Sequence, residues 1–150
     1  MTICIVDTTV FCNVLDVPGY NQHKDEALAT LRDYLSKRFS LLLPLATVYE
    51  TGNHIARVPD GQLRRQVATR FAEQVRLAVD GRSPWTPTPL PGPEELASWL
   101  TEFPDQAMRG VSLADLSIIK VFQRQCQLHR ARRVFIWSYD KHLHSHDRAV

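Results

Sequence analysis

The chain has 150 residues, of which 44% are hydrophobic and 23% are charged. This balance is typical of an ordinary globular domain and excludes a disordered chain. The formal net charge is only +2, so bulk charge does not indicate a nucleic-acid-binding protein. Three widely spaced cysteines support neither a disulfide framework nor a zinc knuckle. No apolar run reaches membrane-spanning length, and the start lacks a secretory signal. We therefore expect one cytoplasmic domain over residues 1–150, with no membrane association.

The first half of the chain alternates short apolar runs with helical patterns. Ile3–Val6 is rich in β-branched residues and predicts a buried strand that stops at Asp7. A second buried strand is predicted over residues 41–45. The other patterns have helical spacing and predict helices over residues 10–15, 23–38 and 47–57, and from residue 60 onward.

A proline-rich stretch opens the second half. Residues 83–93 contain five prolines and one tryptophan. This composition suits a domain linker or a polyproline ligand, but we favour a connector with a short edge strand inside one domain. A helix is predicted near residues 94–101, and Ser112 has the position of an N-cap for a further long helix. Val134–Trp137 predicts the last strand, and the polar, His-rich tail after it is predicted to be disordered.

Strands that alternate with helices predict an α/β fold with a mostly parallel central sheet and helices on both faces. In such sheets, ligands bind beyond the carboxyl ends of the strands. Asp7 and Asp140 each follow the carboxyl end of a predicted strand, and the helix that carries Glu50 opens at the same edge. The pattern therefore directs three carboxylates to one edge of the sheet.

Asp115 is the most diagnostic of the acidic residues. On a helix it shares the apolar stripe formed by Ile119, Phe122 and Cys126. The helix dipole stabilises a carboxylate at this position by only ~0.3–1 kcal/mol, which does not offset the burial of a lone charge. Clustered carboxylates repel one another and favour protons or a divalent cation. The four acids therefore predict an oxygen-ligand metal site and metal-assisted hydrolysis of a phosphodiester.

Each acid also has a simpler interpretation when it is considered alone. Asp7 has the position of a helix cap, Asp140 of a turn residue, and Glu50 of a residue on a solvated helix face that it shares with Asn53. The metal-site interpretation depends on all four acids being considered together.

The ordered set resembles a PIN domain over nearly the whole chain. The matching motifs are Asp7-Thr8 after the first strand, Glu50 after a Leu-rich strand, Ser112 to Asp115 opening a helix, and Ser138 to Asp140 after the last strand. The resemblance implies a Mg²⁺- or Mn²⁺-dependent nuclease acting on RNA, and a single domain of this size is most similar to the VapC-like toxins of bacterial toxin–antitoxin pairs. It also implies a homodimer and an antitoxin partner.

The resemblance also implies roles for individual residues. The catalytic, metal-binding carboxylates are Asp7, Glu50, Asp115 and Asp140. Thr8 and Ser138 correspond to the supporting hydroxyl positions of the family. Independently of the resemblance, Asn53 is a supporting candidate on the helix face of Glu50, and Ser138, one step past the strand, is placed to orient a metal-bound water. From their position near the predicted cleft rather than from the resemblance, Arg57, Lys120 and Lys141 are our candidates for binding flanking phosphates, and each is otherwise ordinary surface charge.

Several alternatives remain open at this stage. A DNA-directed or structure-specific nuclease fits the same acids, because no residue type in the sequence reads a 2′-hydroxyl. A non-catalytic binding module with the same fold fits less well, since it has no use for repelling carboxylates. The alternating histidines 142, 144 and 146 suit a metal site on an extended segment, although a disordered tail is favoured. Trp85 and Trp99 suit base stacking, although packing in a core or interface is favoured.

Overall fold

Five short strands form one sheet in the order β3-β2-β1-β4-β5. The structure is a computed structural model that describes residues 1–150. The first four strands are parallel, and β5 runs antiparallel to β4. Their bounds are β1 (Ile3–Val6), β2 (Ser40–Pro44), β3 (Trp85–Thr88), β4 (Val134–Trp137) and β5 (Asp147–Arg148).

Six helices cover the sheet, and they are α1 (Thr8–Val14), α2 (Lys24–Ser36), α3 (Leu45–Ala56), α4 (Gly61–Val79), α5 (Pro93–Met108) and α6 (Leu113–Leu128). Side chains of α1, α2 and α4 pack into one core with the sheet, and those of α5 and α6 pack into another. Helix α3 contributes Ile55 to the first core and Ala46 to the second. The fold is therefore the predicted three-layer α/β/α arrangement. No helix is both long and apolar enough to cross a bilayer.

The strands alternate between the two cores because successive side chains on a strand point to opposite faces. In β1, Cys4 and Val6 belong to the first core, whereas Ile3 and Ile5 belong to the second. All four are almost completely buried. Burial on both faces is why this strand reads as a continuous apolar run in the sequence.

The proline-rich stretch is the connector that the sequence predicts. Its strand β3 pairs with β2 at the edge of the sheet, and Trp85 is only 3% exposed. Trp85 meets the ring of the fully buried Phe11 edge-on, at 5.6 Å between ring centroids. Packing in the core is therefore the observed role of this tryptophan.

Two predictions about the second half were wrong. Helix α5 does not stop near residue 101 but continues past Pro104, since Trp99 and Phe103 hold it against the second core. The tail is ordered rather than disordered, because Leu143 is fully buried and Asp147 and Arg148 pair with β4. The Arg148 guanidinium also donates hydrogen bonds to three backbone carbonyls at and beyond the end of α6, those of Cys126, His129 and Arg132.

The topology creates a crevice between β1 and β4. The chain adds β2 and then β3 on one side of β1 and places β4 on the other side. Val6 and Trp137, the last residues of β1 and β4, are neighbours in register. Adjacent parallel strands whose connections diverge in this way leave an open crevice at their carboxyl ends.

Candidate functional site

Asp7 directly follows β1 at the carboxyl edge of the sheet and is only 1% exposed. Its Oδ1 accepts hydrogen bonds from the Thr9 hydroxyl (2.7 Å) and the Val10 backbone N–H (3.2 Å), which makes Asp7 the N-cap of α1. Its Oδ2 accepts a 2.5 Å hydrogen bond from the Ser138 hydroxyl. Burial raises the pKa of Asp7 to about 6, even though these three hydrogen bonds oppose the rise. Asp7 is thus both the N-cap of α1 and a buried carboxylate at the carboxyl edge of the sheet.

The hydroxyls of Ser138 and Thr9 connect the loop after β4 to Asp7 through hydrogen bonds. Ser138 Oγ, which donates to Asp7, accepts a hydrogen bond from the Asp140 backbone N–H at 2.8 Å. Thr9 Oγ1, which also donates to Asp7, accepts one from the Tyr139 backbone N–H at 2.9 Å. The Ser138 hydroxyl therefore positions Asp7 and the start of the Asp140 turn. The role of Thr9 was not predicted, and its only sequence signal is a second threonine after Asp7.

Glu50 reaches the crevice from the middle of α3. A hydrogen bond of 2.9 Å from the Thr47 hydroxyl to the Val6 carbonyl ties this helix to the end of β1. Desolvation raises the pKa of Glu50, and the charges of Asp115, Asp7 and Asp140 raise it further.

Two neighbours of Glu50 complete this wall of the crevice. The Thr8 hydroxyl is buried without a hydrogen bond of standard geometry, although its proximity to Glu50 slightly opposes the rise in the pKa of that carboxyl. His54 Nε2 lies 3.9 Å from Glu50 Oε1, and its ring stacks on Tyr20 at 4.2 Å between centroids.

Asp115 and Asp140 complete the acidic set. The Ser112 hydroxyl accepts a 3.0 Å hydrogen bond from the Asp115 backbone N–H, so Ser112 is the predicted N-cap of α6. Desolvation raises the pKa of Asp115, and the charge of Asp140 is the next largest cause. Asp140 Oδ1 accepts a 2.7 Å hydrogen bond from the His142 backbone N–H, which closes the turn after β4. Asp140 therefore serves the turn and still acts electrostatically on the other acids.

The structure brings the four predicted carboxylates into one electrostatic cluster. Each of Asp7, Glu50 and Asp115 has a pKa that is raised partly by other members. No group of three or more Asp, Glu, His or Cys side chains is arranged to hold a metal ion as it stands. The donors nevertheless fit a hard cation, because all are carboxylate oxygens and their mutual repulsion is relieved by positive charge. The cluster is therefore suited to bind a divalent cation or to retain protons.

The residues predicted to grip phosphates lie in three different environments. Arg57 is the exposed C-cap of α3, and its charge contributes to a lowered pKa of His54, after desolvation. Lys120 Nζ lies 2.5 Å from a Glu102 carboxylate oxygen, so its charge is already paired. Lys141 is exposed beside Asp140. Arg57 and Lys141 are thus the free cations among the three.

The structure also places the remaining candidate residues. Asn53 is exposed and lines a cavity together with Glu50. Trp99 is 7% exposed and belongs to the second core. The segment that carries His142, His144 and His146 forms turns rather than an extended strand. The extended segment that the predicted histidine metal site requires is therefore not present. No family model, curated protein or solved structure matches this chain.

Proposed function

We propose that this protein is a divalent-metal-dependent ribonuclease with a PIN-like fold, and that it acts as a VapC-like toxin. One observation carries the proposal: carboxylates from four separate segments gather at the carboxyl edge of a parallel sheet, and the pKa values of Asp7, Glu50 and Asp115 are each raised partly by other members of the set. Such an arrangement is costly to a folded protein unless a ligand compensates for it, so it is a candidate functional site. The PIN-like order of the motifs supports the choice of chemistry.

In this proposal Asp7, Glu50, Asp115 and Asp140 hold Mg²⁺ or Mn²⁺. The bound metal supplies a Lewis acid for the phosphoryl oxygens and lowers the pKa of a bound water. Without a cation the acidic cluster repels a phosphodiester, so the same residues make catalysis depend on metal. Ser138 is a positioning residue, since it fixes the orientation of Asp7 through its hydroxyl.

The other residues of the crevice have supporting roles. Thr9 positions Asp7 together with Ser138, and Thr8 lines the wall beside Glu50. Arg57 and Lys141 are free to contact phosphates on either side of the cleaved bond. RNA as the substrate, an antitoxin partner and a homodimer follow from the resemblance alone, and they belong to this proposal on that basis.

Incubation with end-labelled RNA and DNA tests the proposal. The wild-type protein should cleave RNA with Mn²⁺ or Mg²⁺, leave a 5′-phosphate and a 3′-hydroxyl, and lose activity with EDTA. Asp7→Asn should be inactive, whereas Asp105→Asn makes the same chemical change on an exposed part of α5 and should be fully active. Cleavage of DNA alone would reassign the substrate. No cleavage of either polymer by the folded protein would refute the nuclease.

A further inference from the structure

An apolar cavity of about 380 Å³ lies directly beside the acidic cluster. Helix α3 forms one wall with Tyr49 and Glu50, and the start of α6 forms another with Leu113. Trp99 of α5 and Leu90 of the proline-rich stretch complete the lining. Glu50 thus belongs to both the cavity and the cluster, so whatever occupies this cavity lies next to the proposed reaction centre.

The charges of the lining restrict the class of occupant. Glu50 is the one charged residue, and no lysine or arginine lines the cavity. A phosphate or an acidic side chain therefore finds no counter-charge there, and an uncharged group is favoured. The other side chains of the lining that carry polar groups are uncharged: Tyr49, Asn53, Trp99 and Ser117. Apolar walls with a few hydrogen-bonding groups suit a flat heterocycle that has apolar faces and polar edges.

The walls are also shaped before an occupant arrives. The outer wall is made by Leu90 and Pro91, which lie in a run where Pro89 and Pro91 restrict the backbone. A second cavity of about 340 Å³ adjoins the first and shares Leu90 and Trp99 with it. The first cavity is therefore one of two neighbouring cavities along the proline-rich stretch, a spacing that suits one unit of an extended polymer.

We propose that this cavity is a nucleobase subsite, in which a base beside the cleaved phosphate of single-stranded RNA packs against Tyr49, Leu90 and Leu113. The inference builds on the proposed nuclease and adds a determinant of where it cuts. Tyr49 supplies the aromatic face, and its side chain is accessible because the residue is 64% exposed. Stacking of this kind tolerates different bases, whereas the Asn53 amide provides a group that can prefer one base edge.

A set of short RNAs, each with one abasic position, tests the subsite. Binding is measured by fluorescence anisotropy with Mg²⁺ in the Asp115→Asn background, which the proposed function makes unable to cleave. Loss of the base at one position should weaken binding by about 5- to 150-fold, the range for one stacked base. In the wild type, cleavage should occur beside that same position.

Tyr49 variants in the same background assign the effect to the cavity. Tyr49→Ala should weaken binding of intact RNA by a similar factor and should not further weaken binding of the RNA that lacks the critical base. Tyr49→Phe should restore binding. Leu100→Ala is the control, because Leu100 is an exposed apolar residue of α5 that lines neither cavity.

The outcomes separate this inference from the proposed function. Cleavage of RNA with no position sensitive to base removal would overturn the subsite and leave the nuclease intact. An equal effect of Tyr49→Ala on intact and abasic RNA would also overturn it and would favour a protein segment as the occupant. Position-dependent binding without wild-type cleavage would refute the nuclease and the role of the cavity in choosing the cut, and would leave only a base-binding cavity.

Discussion

Asp7→Asn should stabilise the metal-free protein at neutral pH. Asp7 is 1% exposed, and burial raises its pKa from 3.8 to about 6. The pKa of Asp7 therefore differs by about two units between the unfolded and folded states. At 1.36 kcal/mol per unit, this difference corresponds to about 3 kcal/mol. The folded protein carries this penalty wherever Asp7 is ionised in both states, and the neutral amide of asparagine removes it.

The sign of the pH dependence follows from the raised pKa. Below about pH 4 the carboxyl is protonated in both states and no penalty exists. Between about pH 4 and pH 6 the folded state retains a proton that the unfolded state has lost, so stability falls as pH rises. Above about pH 6 the full penalty remains. The asparagine amide also disturbs the hydrogen bond from Ser138, which costs about 1 kcal/mol and leaves a net gain of about 2 kcal/mol.

Urea unfolding in EDTA at several pH values measures this difference. The Asp7→Asn protein should be more stable than the wild type above about pH 6, and the gap should close towards about pH 4. Glu50 and Asp115 also have raised pKa values, so the wild-type slope contains their contributions. The difference between the two proteins reports Asp7 together with its charge coupling to Glu50 and Asp115, and Asp105→Asn controls for a change of net charge. A variant less stable than the wild type at pH 7.5 would refute the reasoning.

Four further outcomes are expected. Mn²⁺ or Mg²⁺ should raise the Tm of the wild type but not of Asp7→Asn, because a cation that binds only the folded state stabilises it; no shift with either ion would count against the site. Asp115→Asn should abolish RNA cleavage while the metal-free fold stays at least as stable by urea unfolding; an unfolded variant would make Asp115 structural. Ser138→Ala should raise the pKa of Asp7 further and weaken Mn²⁺ binding by ~10–100-fold in calorimetry, as loss of a supporting hydrogen bond does; unchanged affinity would contradict its positioning role. Arg148→Ala should speed hydrogen exchange over residues 143–150, since the guanidinium holds this segment to the end of α6; unchanged exchange would show that burial of Leu143 and pairing with β4 anchor the tail without it.

Local patterns in the sequence were sufficient to predict most of the secondary structure. Ile3–Val6 is buried on both faces, which a continuous β-branched run already indicates. Ser112 was predicted as an N-cap and is observed as one, which was predictable because a cap depends only on the two or three residues that follow it. The end of α5 was misjudged, because contacts of Trp99 and Phe103 with another helix, rather than local preference, extend it past Pro104.

Contacts between distant residues were not predictable from the sequence. The ion pair between Lys120 and Glu102 depends on how α5 packs against α6. It neutralises a lysine that the sequence analysis had offered as a phosphate-binding candidate. The tail is ordered by Leu143 and Arg148, whose partners lie on elements that come earlier in the chain. A single apolar residue in a polar segment gives no local sign that it will be buried.

The sequence by itself determined the alternation of strands and helices and the placement of four acids at the ends of those elements, since periodicity and capping act over a few residues. Only the tertiary structure decided that these acids act on one another, that Thr9 and Ser138 hold Asp7, and that an apolar cavity opens beside Glu50. These features depend on strand order and on helix packing between residues more than a hundred positions apart, as with Asp7 and Ser138.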